Sequence, residues 1–446
     1  MPSEWPSPTF GELMEHGVLE IGDGYRAKND ELGGSGLIFL RAGHVTDTHI
    51  DFDGVERFVT LDTKRFGPKI ARAGDVVVTT KGNSTGRVAF ITGNMPAFVY
   101  SPHLSYWRSK SDVVLNQGFL RAWSRASEFS VQLAAMSRST DMAPYLSLSD
   151  QRRLRITLPP IAVQRRIGEL GDALDERISL LRKTNSTLES IAQALFKSWF
   201  IDFDPVRAKA EGREPEGMDE ETAALFPDSF EDSALGDIPK GWRSIPLSQL
   251  CTRVSNGSTP SRAKSEFWDG GEMPWYKTGE LSDGFLLTPS ERITAAAVMN
   301  TSVKVLPRYA ILMAIYAAPT VGRLGILLED STFNQACTGM VAKADVGPWF
   351  LFQTLLHGRE WFNSRANGAA QQNISKGIVE GYLCVQPNEE VLAAFNQLAS
   401  AIYTSIKNNA KKAALLGELR DTLLPRLISG KLCLPEAEAQ VSEALA

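Results

Sequence analysis

The stretch QRRIGELGDALDERISLLRKTNSTLESIAQALF (164–196) decides the fold of this 446-residue chain. An apolar residue recurs in it every seven positions, at Ile167, Leu174, Leu181, Leu188 and Leu195. That period is typical of a long helix whose apolar seam packs on a second helix. A later stretch repeats the period, with Phe395, Ile402, Asn409, Leu416 and Leu423. Together the two stretches predict a coiled coil.

The lengths of these two helices and one polar residue add detail to the prediction. Each helix spans about 35 to 40 residues, roughly 50–60 Å at 1.5 Å per residue. If the two copies are related by a pseudo-twofold axis, the helices run antiparallel. Asn409 is a polar residue in the second seam. It either fixes the register of the pair or faces solvent.

The rest of the chain also occurs twice. GDVVVTTKGNSTGRVAFI (74–91) has the pattern of a strand, a Gly-rich turn and a second strand, and YAILMAIYAAPTVGRLGILL (309–328) has the same pattern. Further on, Leu148-Ser149 aligns with Ile374-Ser375. These repeats predict two mixed α/β units, each followed by a long helix.

Composition excludes several classes of protein. The chain is 43% hydrophobic and 22% charged, as in ordinary globular proteins. It has no apolar run long enough for a membrane span and no secretory signal at its N-terminus. The four cysteines are scattered, without metal-ligand spacing. We therefore expect a reduced, cytoplasmic protein without a structural metal.

Charge is distributed unevenly along the chain. The net charge is −5, but residues 57–158 hold 15 basic and 6 acidic residues, a local charge of +9. Residues 202–239 hold 3 basic and 12 acidic residues, and residues 240–385 hold 14 and 11. A basic block is either a solvated surface or a surface that follows phosphates.

The motifs of the expected catalytic classes are absent from the sequence. No [DNS]PP[YFW] tetrad of an amino-methyltransferase occurs, and Leu158-Pro159-Pro160-Ile161 lacks its polar first and aromatic fourth residues. The segment 82–87 lacks the Lys-Ser/Thr pair of a phosphate-binding loop. The sequence therefore favours a binding protein that reads a ligand over a catalyst.

Several segments resemble one known family. LPPIAVQRRIGELGDALDERISLLRKTNSTLESIAQALFKSWFIDFDPVRAKAEG (158–212) resembles the central conserved region of type I restriction-modification specificity subunits, and LRDTLLPRLISGKL (419–432) resembles their distal conserved region. SNGSTPSRAKSEFWDGGEMPWYKTGEL (255–281) and TVGRLGILLEDSTFNQACTGM (320–340) resemble parts of a target recognition domain. In the first unit, RAKNDELGGSGLIFLRAGHV (26–45) replaces the usual opening of that domain.

This resemblance implies a fold and a division of the chain. The fold is mixed α/β (α+β), with two target recognition domains in a pseudo-twofold arrangement, separated by two long antiparallel helices that form a coiled coil. The expected divisions are recognition domain 1 (1–157), the central helix (158–203), an acidic linker (204–239), recognition domain 2 (240–385), the distal helix (386–432) and a flexible acidic tail (433–446).

The resemblance also implies partners. Each recognition domain would read one half of a split, asymmetric site in double-stranded DNA, and the helices would set the spacer and dock two methyltransferase subunits. Restriction subunits would then join the complex. The chain itself would be non-catalytic and hold no cofactor. S-adenosylmethionine would bind to the methyltransferase, and ATP with Mg would bind to the restriction subunit.

The candidate DNA-binding residues lie in five short segments. In the first unit they are Lys81, Asn83, Ser84, Thr85 and Arg87 on the Gly-rich turn, and Arg108 beside Tyr106 and Trp107. In the second unit they are Asn256, Ser258, Thr259, Ser261, Arg262, Lys277, Asn334 and Gln335. Basic and amide side chains suit phosphates and base edges. Each set has an alternative role. The segment 81–87 could be a plain hairpin loop, and Asn334 and Gln335 could hydrogen-bond to buried backbone groups. The aromatic residues could pack in the core, namely Tyr106, Trp107 and Trp275.

Two groups of residues on the first long helix are candidates for partner binding. Gln164, Arg165 and Arg166 lie in its first turn, where the alternative is a solvated face. Phe196, Trp199 and Phe200 lie at its end, and they either close the coiled coil or receive a methyltransferase subunit.

Other classes of function fit parts of the pattern. A free-standing, two-domain DNA-binding regulator would share the basic surfaces, and a coiled-coil scaffold without a DNA role would share the helices. A self-contained nuclease–methyltransferase is disfavoured because its motifs are missing.

Overall fold

A computed structural model describes residues 5–46, 49–137, 144–316, 320–366 and 373–445. The chain forms two compact units. The first comprises residues 1–180 with 413–446, and the second comprises residues 181–412. Each long helix therefore contributes one part of its length to each unit.

The first unit contains two sheets. Its strands are β1 (Leu19–Asp23), β2 (Ile38–Leu40), β3 (Glu56–Arg57), β4 (Val76–Thr79), β5 (Val88–Phe90), β6 (Phe98–Tyr100) and β7 (Leu104–Ser109). One sheet has the antiparallel order β1-β7-β4-β5, and the other has the order β3-β2-β6. Every residue of β4 is buried, as expected for an uninterrupted apolar run. The short helices are α1 (Phe10–Glu15), α2 (Gln117–Ser124), α3 (Ser127–Ser137) and α4 (Leu148–Arg152).

The second unit repeats this plan and adds to it. Its strands are β8 (Phe230–Glu231), β9 (Ile238–Pro239), β10 (Arg243–Pro246), β11 (Cys251–Asn256), β12 (Met273–Tyr276), β13 (Gly284–Leu286), β14 (Glu291–Ile293), β15 (Ile311–Ala314), β16 (Leu324–Leu327), β17 (Thr332–Phe333), β18 (Cys337–Ala342) and β19 (Leu383–Gln386). They form the sheets β11-β18-β15-β16-β13, β14-β12-β17, β10-β19 and β8-β9. The helices are α6 (Asp204–Ala210), α7 (Glu220–Ala224), α8 (Ala295–Asn300), α9 (Pro348–His357), α10 (Arg359–Ser364) and α11 (Lys376–Glu380).

The repeat predicted from the sequence is present in the hydrogen bonding. The Gly86 amide donates to the Thr79 carbonyl at 2.8 Å, and the Gly322 amide donates to the Ala314 carbonyl at 2.9 Å. The three-stranded sheets match as well, since β2 and β12 each pair antiparallel with one neighbour and parallel with the other. Strands β1 to β7 thus correspond to β11, β12, β14, β15, β16, β17 and β18.

One detail of the predicted alignment is wrong. The side chains of Ser147 and Ser375 cap α4 and α11, and the residue before each serine donates to an equivalent strand-end carbonyl at 2.9 Å. Leu146-Ser147 is therefore the counterpart of Ile374-Ser375, and Leu148-Ser149 lies two residues further along the chain. The repeated Leu-Ser dipeptides at 146–149 made the two alignments indistinguishable in the sequence.

The two long helices are α5 (Ile161–Phe200) and α12 (Glu389–Ile428), and they pair antiparallel within each unit. In the first unit Asp175 forms an ion pair with Arg420. In the second unit the Asn409 side-chain amide donates to the Asn185 side-chain oxygen at 2.9 Å, and the Asn185 amide donates to the Ile406 carbonyl at 3.0 Å. Asn409 therefore lies in the seam and bonds across it, which is the register-fixing alternative.

The segments that were predicted as an acidic linker and as a flexible acidic tail both contain helices. The acidic stretch 204–239 holds α6 and α7, and Pro205 and Val206 of α6 are buried. The tail 433–446 was expected to be flexible, but it holds α13 (Leu434–Leu445). Ala437 is buried, and Glu438 forms an ion pair with Arg166. In the described part of the chain, no helix has the length and apolar character that a membrane crossing requires.

Candidate nucleic-acid interface

The candidate residues of the second unit lie on three segments that the fold brings together. The loop after β11 passes so close to the end of β17 that a Cβ on Gly257 would lie 2.3 Å from the carbonyl oxygens of Phe333 and Asn334. Only glycine fits this approach. Trp275 of β12 lies beneath the loop, and its indole N–H donates to the Ser258 carbonyl at 3.1 Å. The prediction that Trp275 packs in the core is confirmed, since it is 2% exposed.

Polar side chains on this loop bond to the neighbouring segments. The Thr338 hydroxyl donates to the side-chain oxygen of Asn256 at 2.7 Å, and the Thr259 hydroxyl donates to the side-chain oxygen of Gln335. The Ser258 hydroxyl bonds to that of Ser302 at 2.8 Å. These bonds leave the amide N–H groups of Asn256 and Gln335 available on an exposed surface.

Asn334 differs from its neighbour Gln335. Its backbone amide donates to the Tyr276 carbonyl at 2.9 Å. Its side-chain oxygen is buried and has no hydrogen-bond partner among the described residues. A buried acceptor without a donor costs about 1–3 kcal/mol. The side-chain oxygen of Asn334 therefore does not accept a hydrogen bond from a buried backbone amide.

Glu291 of β14 holds two of the predicted cations. It accepts a hydrogen bond from the Lys277 ammonium at 2.7 Å, and both of its oxygens accept from the Arg262 guanidinium. The hydrogen bonds from Arg262, and to a smaller degree from Lys277, lower the pKa of Glu291 to about 2. Arg262 also lies over the Trp268 ring, with its guanidinium carbon 3.7 Å from the ring centroid. The patch therefore carries two oriented cations and one anion, while Ser261 is exposed beside it.

The candidate residues at 81–87 of the first unit form a tight turn between β4 and β5. Gly82 and Gly86 both have a positive φ, of 80° and 90°. The Thr85 hydroxyl is used internally, because it donates to the Gly82 and Pro144 carbonyls at 2.7 and 2.9 Å. Lys81, Asn83 and Arg87 are exposed, and Ser84 is half-buried.

Tyr145 is an exposed aromatic residue beside this turn that the sequence analysis missed. It forms an antiparallel bridge with Lys81 and is 56% exposed. An exposed ring next to a basic residue suits contact with a nucleotide. The signal in the sequence was weak, because 64 residues separate the two positions.

Arg108 is not a surface residue, and its prediction as a DNA contact is wrong. Its side chain is 8% exposed, and its guanidinium donates twice to the Asp75 carboxylate at 2.7 Å. Burial alone would lower the pKa of Arg108, but the hydrogen bonds and charge of Asp75 and the charge of Glu20 raise it. Tyr100 completes the network by donating to Asp75 at 2.8 Å. Core packing of Tyr106 and Trp107 is confirmed.

The first unit has its own counterpart of the patch around Glu291, and sequence reasoning missed it. The Tyr25 amide donates to the Tyr100 carbonyl, as the Ser258 amide does to that of Phe333. Beyond the end of β2, Arg41 forms an ion pair with Glu56 of β3. The register places Glu56 opposite Phe39 and Glu291 opposite Trp275, so the two carboxylates are equivalent.

A sequence signal for this equivalence was present but short. Each strand is followed by a basic residue, any residue and glycine, in Arg41-Ala42-Gly43 and in Lys277-Thr278-Gly279. Arg41 and Lys277 each occupy the N-cap of a 3-10 helix. Three residues are too few to align two units whose connecting loops differ in length.

At the start of α5, the prediction of partner binding is wrong for Gln164. That residue is 1% exposed, and its side-chain amide donates to the carbonyls of Val114 and Pro159 at 3.0 and 2.8 Å. It ties the helix to the preceding loop. Arg165 and Arg166 are exposed, as a docking or solvated face requires, and Arg166 pairs with Glu438.

At the end of α5, the aromatic residues are buried within the second unit, so their prediction as a partner surface is also wrong. Phe196, Trp199 and Phe200 are at most 4% exposed. The ring of Phe200 packs edge-on against Phe395 of α12 at 5.1 Å, measured between centroids. They close the helix pair onto the unit, which was the alternative.

No group of three or more metal-ligating side chains occurs in the residues that the structure describes. Cys251, Cys337 and Cys384 are buried free thiols, and burial raises the pKa of Cys251 and of Cys384 to about 12. What the two patches offer is therefore hydrogen bonding and charge. Oriented cations and amides are the groups through which protein surfaces contact phosphates and base edges.

Comparisons with known proteins find relatives of this chain. The family model described as "Type I restriction modification DNA specificity domain" matches residues 239–383. The specificity subunit of the type I restriction enzyme HindI from Haemophilus influenzae is 26% identical over 442 residues, covering 89% of this chain and 94% of that protein. The MjaIX specificity subunit from Methanocaldococcus jannaschii is 22% identical, covering 74% and 75%.

A solved structure shows a similar fold. The crystal structure of the type I restriction-modification S subunit from M. genitalium matches with a TM-score of 0.54 at 12% identity, covering 95% of this chain and 96% of that one. These matches confirm the resemblance inferred from the helical and loop segments. Residues 239–383 thus match the DNA specificity domain of type I restriction-modification systems, and the chain is similar along most of its length to specificity subunits of that kind.

Proposed function

We propose that each unit reads one half of a bipartite site in double-stranded DNA. The observation that carries this proposal is the repeated patch: in both units a strand ends in a cation that is held by a carboxylate on the neighbouring strand. Two equivalent surfaces with different side chains suit two half-sites of different sequence. Phosphate contacts would come from exposed cations such as Lys81, and base contacts from the oriented cations and amides.

The long helices would set the spacer and receive partners. Half-sites one turn apart on DNA are separated by roughly 34–36 Å, a distance that a helix of 40 residues can span. A fixed spacer makes the second binding event intramolecular, which raises affinity through effective concentration. Leu180 and Leu415 are exposed on the part of the helices in the first unit, and Ile191 and Leu398 on the part in the second. These apolar positions are available to two methyltransferase subunits.

In this proposal the chain is the non-catalytic subunit of its complex. The methyltransferase subunits would bring S-adenosylmethionine, and restriction subunits would bring ATP and Mg. The sequence carries no motif for either cofactor.

Exchange of the first recognition segment tests the two-reader proposal. We expect replacement of residues 1–157 by the corresponding segment of another specificity subunit to change one half-site and leave the other intact. Binding selection on randomised duplex DNA, with the full chain in complex with the methyltransferase that co-purifies with it, would show this. A change in both halves would contradict independent reading.

Shortening of the helices tests the spacer proposal. Removal of a matched pair of turns from α5 and α12 should change the preferred spacer and keep both half-site sequences. An unchanged spacer in the same selection would contradict it. A chain that purifies alone and binds its site with full affinity would instead favour a free-standing regulator.

A further inference from the structure

Arg41 is held in an unusual way for an exposed arginine. Its Nε donates to the Glu56 carboxylate, and its guanidinium carbon lies 5.0 Å from the centroid of the Phe39 ring. The side chain is 51% exposed. Within the described ranges, neither terminal nitrogen of Arg41 has a hydrogen-bond partner. The guanidinium is thus fixed on one edge and open on the other.

The same position in the second unit is chemically different. Lys277 replaces Arg41, and its single ammonium group donates to Glu291. The fork of Arg262 is also directed at this carboxylate, with both terminal nitrogens on its two oxygens. Both patches therefore contain a carboxylate and a cation at equivalent positions. Of the two patches, only the one in the first unit has a guanidinium whose two terminal nitrogens are both open.

Resting on the proposed function, we infer that Arg41 reads a guanine in the half-site of the first unit and that Glu56 is its positioning residue. Two parallel N–H donors match the O6 and N7 acceptors that guanine presents in the major groove. The bond from Nε to Glu56 and the stacking on Phe39 fix the plane of the fork before DNA binds. A side chain that is ordered in advance loses less entropy on binding.

Electrostatics favours a base edge over a phosphate as the target of Arg41. Glu56 lies beside the guanidinium and neutralises much of its charge, and its carboxylate repels a phosphate group. A neutral base edge is repelled less by this carboxylate than a charged phosphate is, so hydrogen bonds to a base lose less of their strength. Arg41 should therefore contribute to base preference and little to the salt dependence of binding.

The test is binding selection on randomised duplex DNA with the full chain in its methyltransferase complex. We expect Arg41→Ala to lower the preference for guanine at one position of one half-site by about 10- to 100-fold and to leave the other half-site unchanged. Glu56→Gln leaves the Arg41 guanidinium in place but removes the charged acceptor that fixes its orientation. It should therefore lower the same preference to a smaller degree. Lys277→Ala should act only on the other half-site.

Arg153→Ala is the matched control, because it removes one charge from an exposed arginine elsewhere in the first unit. It should leave the base preference at every position unchanged. The inference is overturned if Arg41→Ala leaves the preference unchanged, weakens all sequences equally, or alters the same half-site as Lys277→Ala. If the unmodified complex selects no bipartite site, the proposed function itself fails, so the two failures are distinguishable.

Discussion

The central sheets of the two units share the order of four strands, but the residues at one pair of equivalent positions differ in chemistry. In the first unit Asp75, the residue before β4, forms a buried ion pair with Arg108 of β7. The equivalent positions in the second unit are Ala310 and Val341, as the register of β15 with β18 shows. The same strand order thus forms with a charged pair or with an apolar pair at these positions, so the ion pair is not a requirement of this fold.

Breaking the charged solution should have the largest effect on stability. We expect Asp75→Ala to lower the free energy of unfolding of the first unit by about 3–5 kcal/mol, because it removes the main partner of the buried Arg108 charge and leaves only Glu20, at 3.4 Å. Calorimetry of thermal unfolding, in which the two units can give separate transitions, measures this.

The double variant Asp75→Ala with Arg108→Val places the second unit's residues in the first. It should recover most of the lost stability, since no buried charge remains. A double variant as unstable as the single one would show that the sheet of the first unit depends on the ion pair itself.

The ends of the long helices give a second contrast. Helix α5 ends in the aromatic residues Phe196, Trp199 and Phe200, whereas α12 ends in buried leucines such as Leu423 and Leu427. We expect Trp199→Ala to destabilise the second unit by about 3–5 kcal/mol through the cavity it leaves.

The neighbouring Lys197 provides a control for this variant, because it is 59% exposed and its replacement by alanine should change stability by less than about 0.5 kcal/mol. Urea unfolding of both variants makes the comparison. If Trp199→Ala left stability intact and only reduced methyltransferase binding, the aromatic cluster would be a docking surface after all.

The seam between the helices is polar in one unit. Asn185 and Asn409 bond to each other in the second unit, whereas Leu174 and Leu416 are the buried seam residues in the first. Asn409→Ala should cost about 1–2 kcal/mol, because it removes a hydrogen bond and leaves the side-chain oxygen of Asn185 without this donor.

Replacement of both asparagines by leucine should restore or increase stability while weakening the register of the pair. The preferred DNA spacer should then become broader in binding selection. A spacer as sharply defined as before would mean that other contacts fix the register.

The smallest expected effect is a pH dependence in the second unit. The pKa of Glu291 falls from 4.5 to about 2 on folding, so the group binds fewer protons when folded and stabilises the unit above pH 4.5. This contribution should decline as the pH falls from 4.5 towards 2. The difference in unfolding midpoint between the unmodified chain and Glu291→Gln should shrink over that interval, and a constant difference would contradict the assignment.

Local patterns in the sequence predicted most of the scaffold. The seven-residue period located both long helices to within a few residues, and the strand–turn–strand repeat located β4, β5, β15 and β16. These features follow from the spacing of apolar residues along the chain, which is visible without knowledge of distant neighbours. The same is true of the core role of Trp275.

Only the tertiary structure decided which polar side chains are available to a ligand. Arg108 and Gln164 have the composition of surface residues, but partners 33 and 48 residues away bury and bond them. Arg41 was missed because its equivalence to Lys277 depends on strand pairing. Burial and pairing of a charge are set by residues far apart in sequence, whereas the period of a helix is set by its own neighbours.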